Sequence, residues 1–365
     1  MSISGRSKSV VQDKSLVQDP EGEARSSARA FVGAREVAAL AGVSRSAVSR
    51  VFTPGASVSE ETRRRVLAAA SELGYHVNHL ARGLMRRETG IVCLIVSDMD
   101  APQPARLVRA LTGALQAAGK VAMVLSTGGP DDDASAALRQ TLNYRADATV
   151  VMSGTPAQSL VRTCLDNGQR LILINRDDRI EGPANIRLDN ASAAHSALHT
   201  FLRAGCRRLA VVNTELGTPS LAAREAGFLA AAQAVGLAVE VVRQGIPSSY
   251  DNGLIAGRRL FTGLDRPDAV FCVNDLIACG VMDAARREFG LRVPDDVSVI
   301  GFDNIREADW LSYALTTFDQ PVNAIADHVA ALVTGERATE EAPVRIEIKP
   351  QMVWRRSVRV PQAEN

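Results

Sequence analysis

Arginine carries most of the chemistry that this sequence offers. Between Phe31 and Arg87 nine arginines face four glutamates, which leaves that segment at +5 and the rest of the 365-residue chain at −4. A guanidinium is permanently charged and presents a planar fork of donors, so it can pair with phosphate as a charge and with a base edge as two directed hydrogen bonds. A basic segment on a near-neutral body points to a polyanionic partner for that segment alone.

Catalysis has far less to work with. The chain contains no Gly-x-Ser-x-Gly, no phosphate loop of the Gly-Lys-Ser type and no histidine cluster with metal-ligand spacing. His195 and His199 stand four apart on an expected helix, but Ser196, Ala197 and Leu198 between them lack the glutamate of a zinc protease, so a helix-surface pair is the better reading. The five cysteines, Cys93, Cys164, Cys206, Cys272 and Cys279, are odd in number and scattered, mostly in apolar runs, and read as reduced core residues. No cofactor, no metal and no enzymatic activity are expected. No window approaches the roughly 18 apolar residues of a membrane span. The first 30 residues lack the apolar core of a secretory signal, so a cytoplasmic protein away from membranes is expected.

The arginines need elements to aim them, and the local pattern supplies those. Between Gly33 and about Tyr75 apolar residues recur at helical spacing: Val37, Ala38 and Ala41, then Val43, Ala47, Val48 and Val51, then Val66, Ala69, Ala70 and Leu73. Gly42 falls where a first helix must stop, Ser44 can cap a second, Ser59 before Glu60 and Glu61 caps a third, and Gly74 ends it. The run from Ala34 to Phe52 thus has helix-turn-helix spacing, with the arginines on the second helix. Residues 1–31 mix polar residues without periodicity and read as a disordered tail or an over-long gene start.

After Gly90 apolar runs with strand character alternate with amphipathic helical stretches. Strands are expected over 91–96, 121–125, 148–152, 171–174, 209–213, 269–273 and 297–300, with helices at about 104–118, 134–144, 157–167, 191–204, 222–236, 250–263 and 276–289. This βα alternation, with 46% hydrophobic and 4% aromatic residues, implies parallel sheets covered on both faces. Some ten strands are too many for one ordinary open sheet, so two doubly wound lobes are the better expectation. Ligands of such folds bind at the carboxyl ends of strands, here between the lobes.

Further along the head come Val58-Ser-Glu-Glu-Thr-Arg63, Leu73-Gly-Tyr75, Asn78, Ala81-Arg82 and Leu84. The body carries Ile174-Asn-Arg176, Leu188-Asp-Asn190, Arg224 with Gly227-Phe228, Phe271-Cys-Val-Asn-Asp275, Gly301-Phe-Asp-Asn304 and Leu315-Thr-Thr-Phe-Asp-Gln-Pro321. In this order the motifs resemble the lac repressor (LacI/GalR) family of transcription regulators over residues 33 to about 355. The resemblance implies an all-α head and hinge, then a two-lobed α/β effector domain of the periplasmic-binding-protein type. The expected divisions are a tail over 1–31, the head over 32–76, a hinge helix or linker over 77–89, the effector and dimerisation domain over 90–358, and a short tail over 359–365. One lobe is expected at about 91–188 with a later segment near 320–340, the other at about 190–316 with the end of the chain.

By that resemblance Arg45, Ser46 and Arg50 read bases in the major groove of double-stranded DNA, while Ser44, Ser49 and Arg63 hold phosphates. Asn78, Ala81 and Leu84 belong to a hinge that folds on DNA, with Leu84 wedging into the minor groove. Two heads related by a twofold axis imply a homodimer on a palindromic operator. The chain ends without a leucine heptad, which favours a dimer over a tail-bundled tetramer. Arg224, Asn274 and Asp303 match ligand-contacting positions, with Thr218, Ser220 and Gln320 as further lining, and an arginine fork opposite a carboxylate suits the vicinal hydroxyls of a sugar.

Departures from the family pattern carry information. Gly33 and Ala34 replace a capping threonine and a larger apolar residue, and Val77 replaces a proline before the hinge. Ala101-Pro-Gln-Pro104 stands where an aromatic platform for a sugar ring is common, which weakens a hexose and leaves phosphosugars, sugar acids, nucleosides or no effector open. An uptake binding protein and a sugar-modifying enzyme with a basic appendage are the rival classes. The first lacks an export signal, and the second would require a general acid and base where the cleft offers a lone Asp303.

Overall fold

The computed structural model describes residues 32–53, 55–77, 88–127, 134–152, 154, 156–176, 180–215, 218–335 and 344–360. The chain divides into two compact units, Met1–Asn78 and His79–Asn365.

In the first unit three helices, α1 (Ala34–Ala41), α2 (Arg45–Val51) and α3 (Glu60–Leu73), enclose a small core. Val37, Val48 and Val66, one from each helix, are fully buried at its centre, and such burial stabilises by about 1.5–3 kcal/mol per side chain. Phe52 and Tyr75 close one end with ring centroids 5.6 Å apart. The expected punctuation holds: Gly42 and Gly74 end α1 and α3 in the left-handed conformation, and Ser44 and Ser59 accept from Ala47 N and Thr62 N. Gly33 has no side chain to donate a cap oxygen, yet its own N–H is met by Glu36 Oε2 at 3.0 Å, the returning half of a capping box.

The second unit is α/β with two lobes. In lobe one the strands β1 (Ile91–Val96), β2 (Val121–Ser126), β3 (Ala148–Val151), β4 (Arg170–Ile174), β5 (Ala184–Leu188) and β11 (Arg345–Ile348) form one sheet in the order β11-β5-β4-β3-β1-β2. All its pairings are parallel. Helices α4 (Pro102–Ala117), α5 (Ser135–Asn143), α6 (Gln158–Asp166) and α11 (Val322–Thr334) belong with it. In lobe two β6 (Leu209–Asn213), β7 (Val239–Arg243), β8 (Ala269–Cys272) and β9 (Ser298–Ile300) run parallel in the order β7-β6-β8-β9. Its helices are α7 (Asn190–Arg203), α8 (Pro219–Ala234), α9 (Tyr250–Phe261) and α10 (Asp275–Asp283), the last followed by a π turn over Ala284–Glu288. A two-stranded antiparallel ribbon of β10 (Thr317–Asp319) and β12 (Gln351–Val353) lies where the chain passes between lobes.

The alternation expected from the sequence breaks where β4 leads to β5, and β11 to β12, with no helix between them among the described residues, and β5, β7, β10, β11 and β12 add strands that the apolar runs do not announce. β1 and β3 are buried throughout; β1 reads as a continuous apolar segment and β3 as one interrupted only by Thr149. β7 and β11 are half exposed and carry charges, so they give no such signal. Glycine permits the tightest helix contact: a Cβ on Gly280 of α10 would stand 2.1 Å from Tyr250 O of α9. All five cysteines are free and buried, and burial pushes the Cys93 and Cys164 thiols up to about 11. Among the described residues no helix is long and apolar enough to cross a membrane, and no group of three metal-ligating side chains forms.

Candidate functional site

The head presents one polar face. Helix α2 buries Val48 and Val51 against the core and leaves Arg45, Ser46, Ser49 and Arg50 exposed. At 100° per residue those four fall within a single arc opposite the buried stripe. The Ser44 hydroxyl caps α2 and lies 2.8 Å from the Ser46 hydroxyl, so the two serines are organised together at the helix start. Arg63 is placed differently from the other expected DNA residues. Its Nη1 donates to Val51 O at 3.3 Å and meets a carbonyl at the C-terminal end of α2, where a cation suits the helix dipole. Arg65 donates to Gly42 O at 2.9 Å and fixes the turn in the same way. Asn78, Ala81 and Leu84 lie outside the described residues.

In the second unit all six expected effector residues line one cleft of about 170 Å³, with Ser97, Gln103, Asn175 and Ile246 on other parts of its wall. Arg224, on α8 and 3% exposed, is its most constrained member. Its Nε donates to Asn190 Oδ1 at 3.0 Å and its Nη1 to Val273 O at 2.7 Å and Asp303 Oδ1 at 3.4 Å. Burial lowers the arginine's pKa and raises that of Asp303, and each partner's charge opposes the shift of the other. Gln320 Nε2 donates to the same Asp303 Oδ1 at 2.5 Å. Arg224 Nη2 and Asp303 Oδ2 have no hydrogen bond among the described residues, so a donor and an acceptor remain for a ligand.

The other expected residues have smaller roles. Asn274 caps α10 through Oδ1, which accepts Ile277 N at 2.9 Å, and the cap leaves its amide nitrogen unused. Thr218 stands at the start of α8 without a side-chain cap bond. Ser220 donates to Asn175 O at 3.4 Å, from lobe two to lobe one. Among the described residues no aromatic side chain lines the cleft, in keeping with the Ala101-Pro-Gln-Pro104 departure.

Three residues essential to this arrangement escaped the list of site residues expected from the sequence. Gln103 donates from α4 to Gln320 Oε1 at 3.0 Å, and Arg106, one turn on, donates to Asp303 O at 2.9 Å and Asn304 O at 3.0 Å. Asp275 is fully buried beneath the cleft, where Ile305 N and the Thr317 hydroxyl meet its two oxygens. Burial first, and then Asp303, push its pKa up to about 7. Both carboxylates of a candidate acid and base pair are therefore held in structural hydrogen bonds, and Asp275 does not line the cleft. His195 and His199 lie exposed on α7 beside Arg203 and Trp354, in a separate groove.

The head matches the family described as bacterial regulatory proteins, lacI family, over residues 35–78, and the body matches the periplasmic binding protein-like domain over residues 198–358. The chain is 31% identical over 329 residues to the HTH-type transcriptional repressor PurR of Yersinia pestis bv. Antiqua (strain Antiqua), covering 89% of this chain and 96% of that protein. This chain belongs to the lacI family of bacterial regulatory proteins. Among solved structures of that fold, the lac repressor dimer bound to operator and the anti-inducer ONPF superposes with a TM-score of 0.81 at 22% identity, covering 91% of this chain and all of the other. A complex of the transcriptional regulator CelR with cellobiose gives a TM-score of 0.63 at 26% identity, covering 89% and 99% of the two chains. Membership explains why the head and the cleft occur in one chain.

Proposed function

We propose that this chain is a cytoplasmic transcription regulator, of the repressor class, that grips an inverted-repeat operator as a homodimer and answers to a small polar molecule bound between its lobes. The observation that carries the reading is the exposed arc of Arg45, Ser46, Ser49 and Arg50 on α2, in a chain whose relative of 31% identity is a transcriptional repressor. Arg45, Ser46 and Arg50 read base edges, because a guanidinium fork matches guanine O6 and N7 in the major groove. Ser44 and Ser49 hold phosphates, and Arg63 contributes at most a shared contact because it also serves Val51 O. Asn78, Ala81 and Leu84 act as the hinge. Its minor-groove role rests on the family pattern alone.

The effector is a sugar or sugar derivative of monosaccharide size. Support comes from the 170 Å³ cleft, which is below the ~300–1,000 Å³ of drug-sized pockets, and from Arg224 and Asp303, whose remaining donor and acceptor suit adjacent hydroxyls. Without an aromatic wall, hydrogen bonds and not ring stacking set its orientation.

Affinity selection of the full-length chain on a random duplex library, followed by fluorescence anisotropy, tests the reading. An inverted repeat with two half-sites about one helical turn apart is expected, with affinity falling log-linearly with salt. Equal affinity for the selected duplex and a scrambled one at every salt concentration would overturn it.

A further inference from the structure

The cleft is bridged by the chain's own polar groups. Arg106, carried by lobe one, reaches the lobe-two loop through Nη1, which donates to the carbonyls of both Asp303 and Asn304, and through Nη2, which meets Asp319 Oδ1 at 2.8 Å in the passage between lobes. The loop is built to receive it. Asp303 and Asn304 are consecutive non-glycine residues with φ of 116° and 51°, and backbone of this kind persists where its surroundings over-determine it. Asn304 donates to Asp319 Oδ1 at 3.0 Å and accepts from Arg355 Nη2 at 2.8 Å, so both of its side-chain polar atoms hold the loop in place for Arg106. Three residues before Arg106 on the same helix, Gln103 adds a second bridge, through Gln320 to the Asp303 carboxylate that Arg224 holds.

Resting on the reading of this cleft as the effector site, we propose that Arg106 and Gln103 are positioning residues that latch lobe one to lobe two across the cleft, so that the chain's own side chains set the relative pose of the lobes. Arg106 is suited to the task because one planar fork satisfies two carbonyls and a carboxylate together. A lysine would supply the charge toward Asp319 without that geometry.

The test is the inter-lobe distance, measured in the full-length chain by pulsed electron spin resonance with labels at Ser159 of lobe one and Asp251 of lobe two. Labelled chain is diluted into excess unlabelled chain, and no small molecule is added. Unmodified at the cleft, the protein should give one narrow distribution. Arg106→Gln and Gln103→Leu should each broaden it or shift it by several ångströms, and Arg106→Lys should fall between. Far-ultraviolet circular dichroism of each variant confirms that it is folded, so an altered distance reports the lobes and not general unfolding. A distribution unchanged in both variants, or one that is already broad with Arg106 and Gln103 intact, would overturn the latch. Selected-duplex binding is measured on the same samples: a chain with Arg106 and Gln103 intact that does not prefer the selected duplex counts against the proposed function and leaves the latch to the distances, whereas preferential binding with an unmoved distance in both variants counts against the latch alone.

Discussion

The guanidinium carbon of Arg224 lies 3.5 Å from the centroid of the Phe302 ring. The ring face is the floor on which the fork rests, and it offers attraction to the cation where water is excluded. Orientation of the one cation buried in the cleft among the described residues thus depends on an aromatic residue that does not itself line the cleft. Replacing Arg224 with Met leaves Asp303 buried without its counter-charge, and breaking a buried pair in this way costs about 3–5 kcal/mol. Urea denaturation should show that loss, and adding Asp303→Asn to Arg224→Met should recover part of it. A double variant no more stable than Arg224→Met would show that the pair's charge is not what the substitution exposes.

Asp275 makes stability depend on pH in a stated direction. Burial raises its pKa from 3.8 to about 7, so the folded chain holds this proton more tightly than the unfolded chain does. Its contribution is present below the unfolded value, and it is lost as pH rises from about 4 through about 7, with no further change above. Asp275→Asn should flatten that slope, because an amide can accept from Ile305 N and donate to the Thr317 oxygen. Denaturation midpoints at four pH values in both proteins decide the matter, and parallel curves would count against the assignment.

Arg50→Ala and Arg45→Ala should each weaken binding to the selected duplex by about 1–3 kcal/mol, roughly 5- to 150-fold, while binding to scrambled DNA changes little. Arg63→Ala should weaken both duplexes alike and also lower stability, because Arg63 holds Val51 O. Anisotropy titrations at fixed salt distinguish the two patterns.

Ser44→Ala removes the oxygen that caps α2 and should cost about 1 kcal/mol of head stability. Ser46→Ala should cost less, since Ser46 Oγ contacts the cap from outside. Amide exchange of the α2 peptide in the full-length chain reads the difference.

Gly301→Ala should be among the most damaging small substitutions in the body. Its Cβ would stand 2.2 Å from Asp275 Oδ1 and 2.9 Å from Leu315 Cδ2, so the buried carboxylate must leave Thr317 or the strand must move. Thermal denaturation should show a clear fall, against little change for Gly263→Ala, which meets nothing within 4 Å.

Sequence alone determined what local forces decide. Helix boundaries in the head follow from apolar spacing over a few turns and from caps at Ser44, Ser59, Gly42 and Gly74, all of which act within three or four residues. The lobes' central strands were equally legible, because a strand buried on both faces is apolar along nearly its whole length. Edge and crossover strands such as β7, β10 and β11 were not, since short or half-exposed segments satisfy their backbone in the sheet without advertising it in side chains. Only the tertiary structure decided how the cleft is wired. Arg106 meets a loop 197 residues away in the sequence, and Arg63 turns back to Val51 and not wholly outward. A guanidinium's partner is set by which carbonyls and carboxylates the fold brings within about 3 Å of it, and residue type and spacing do not contain that information.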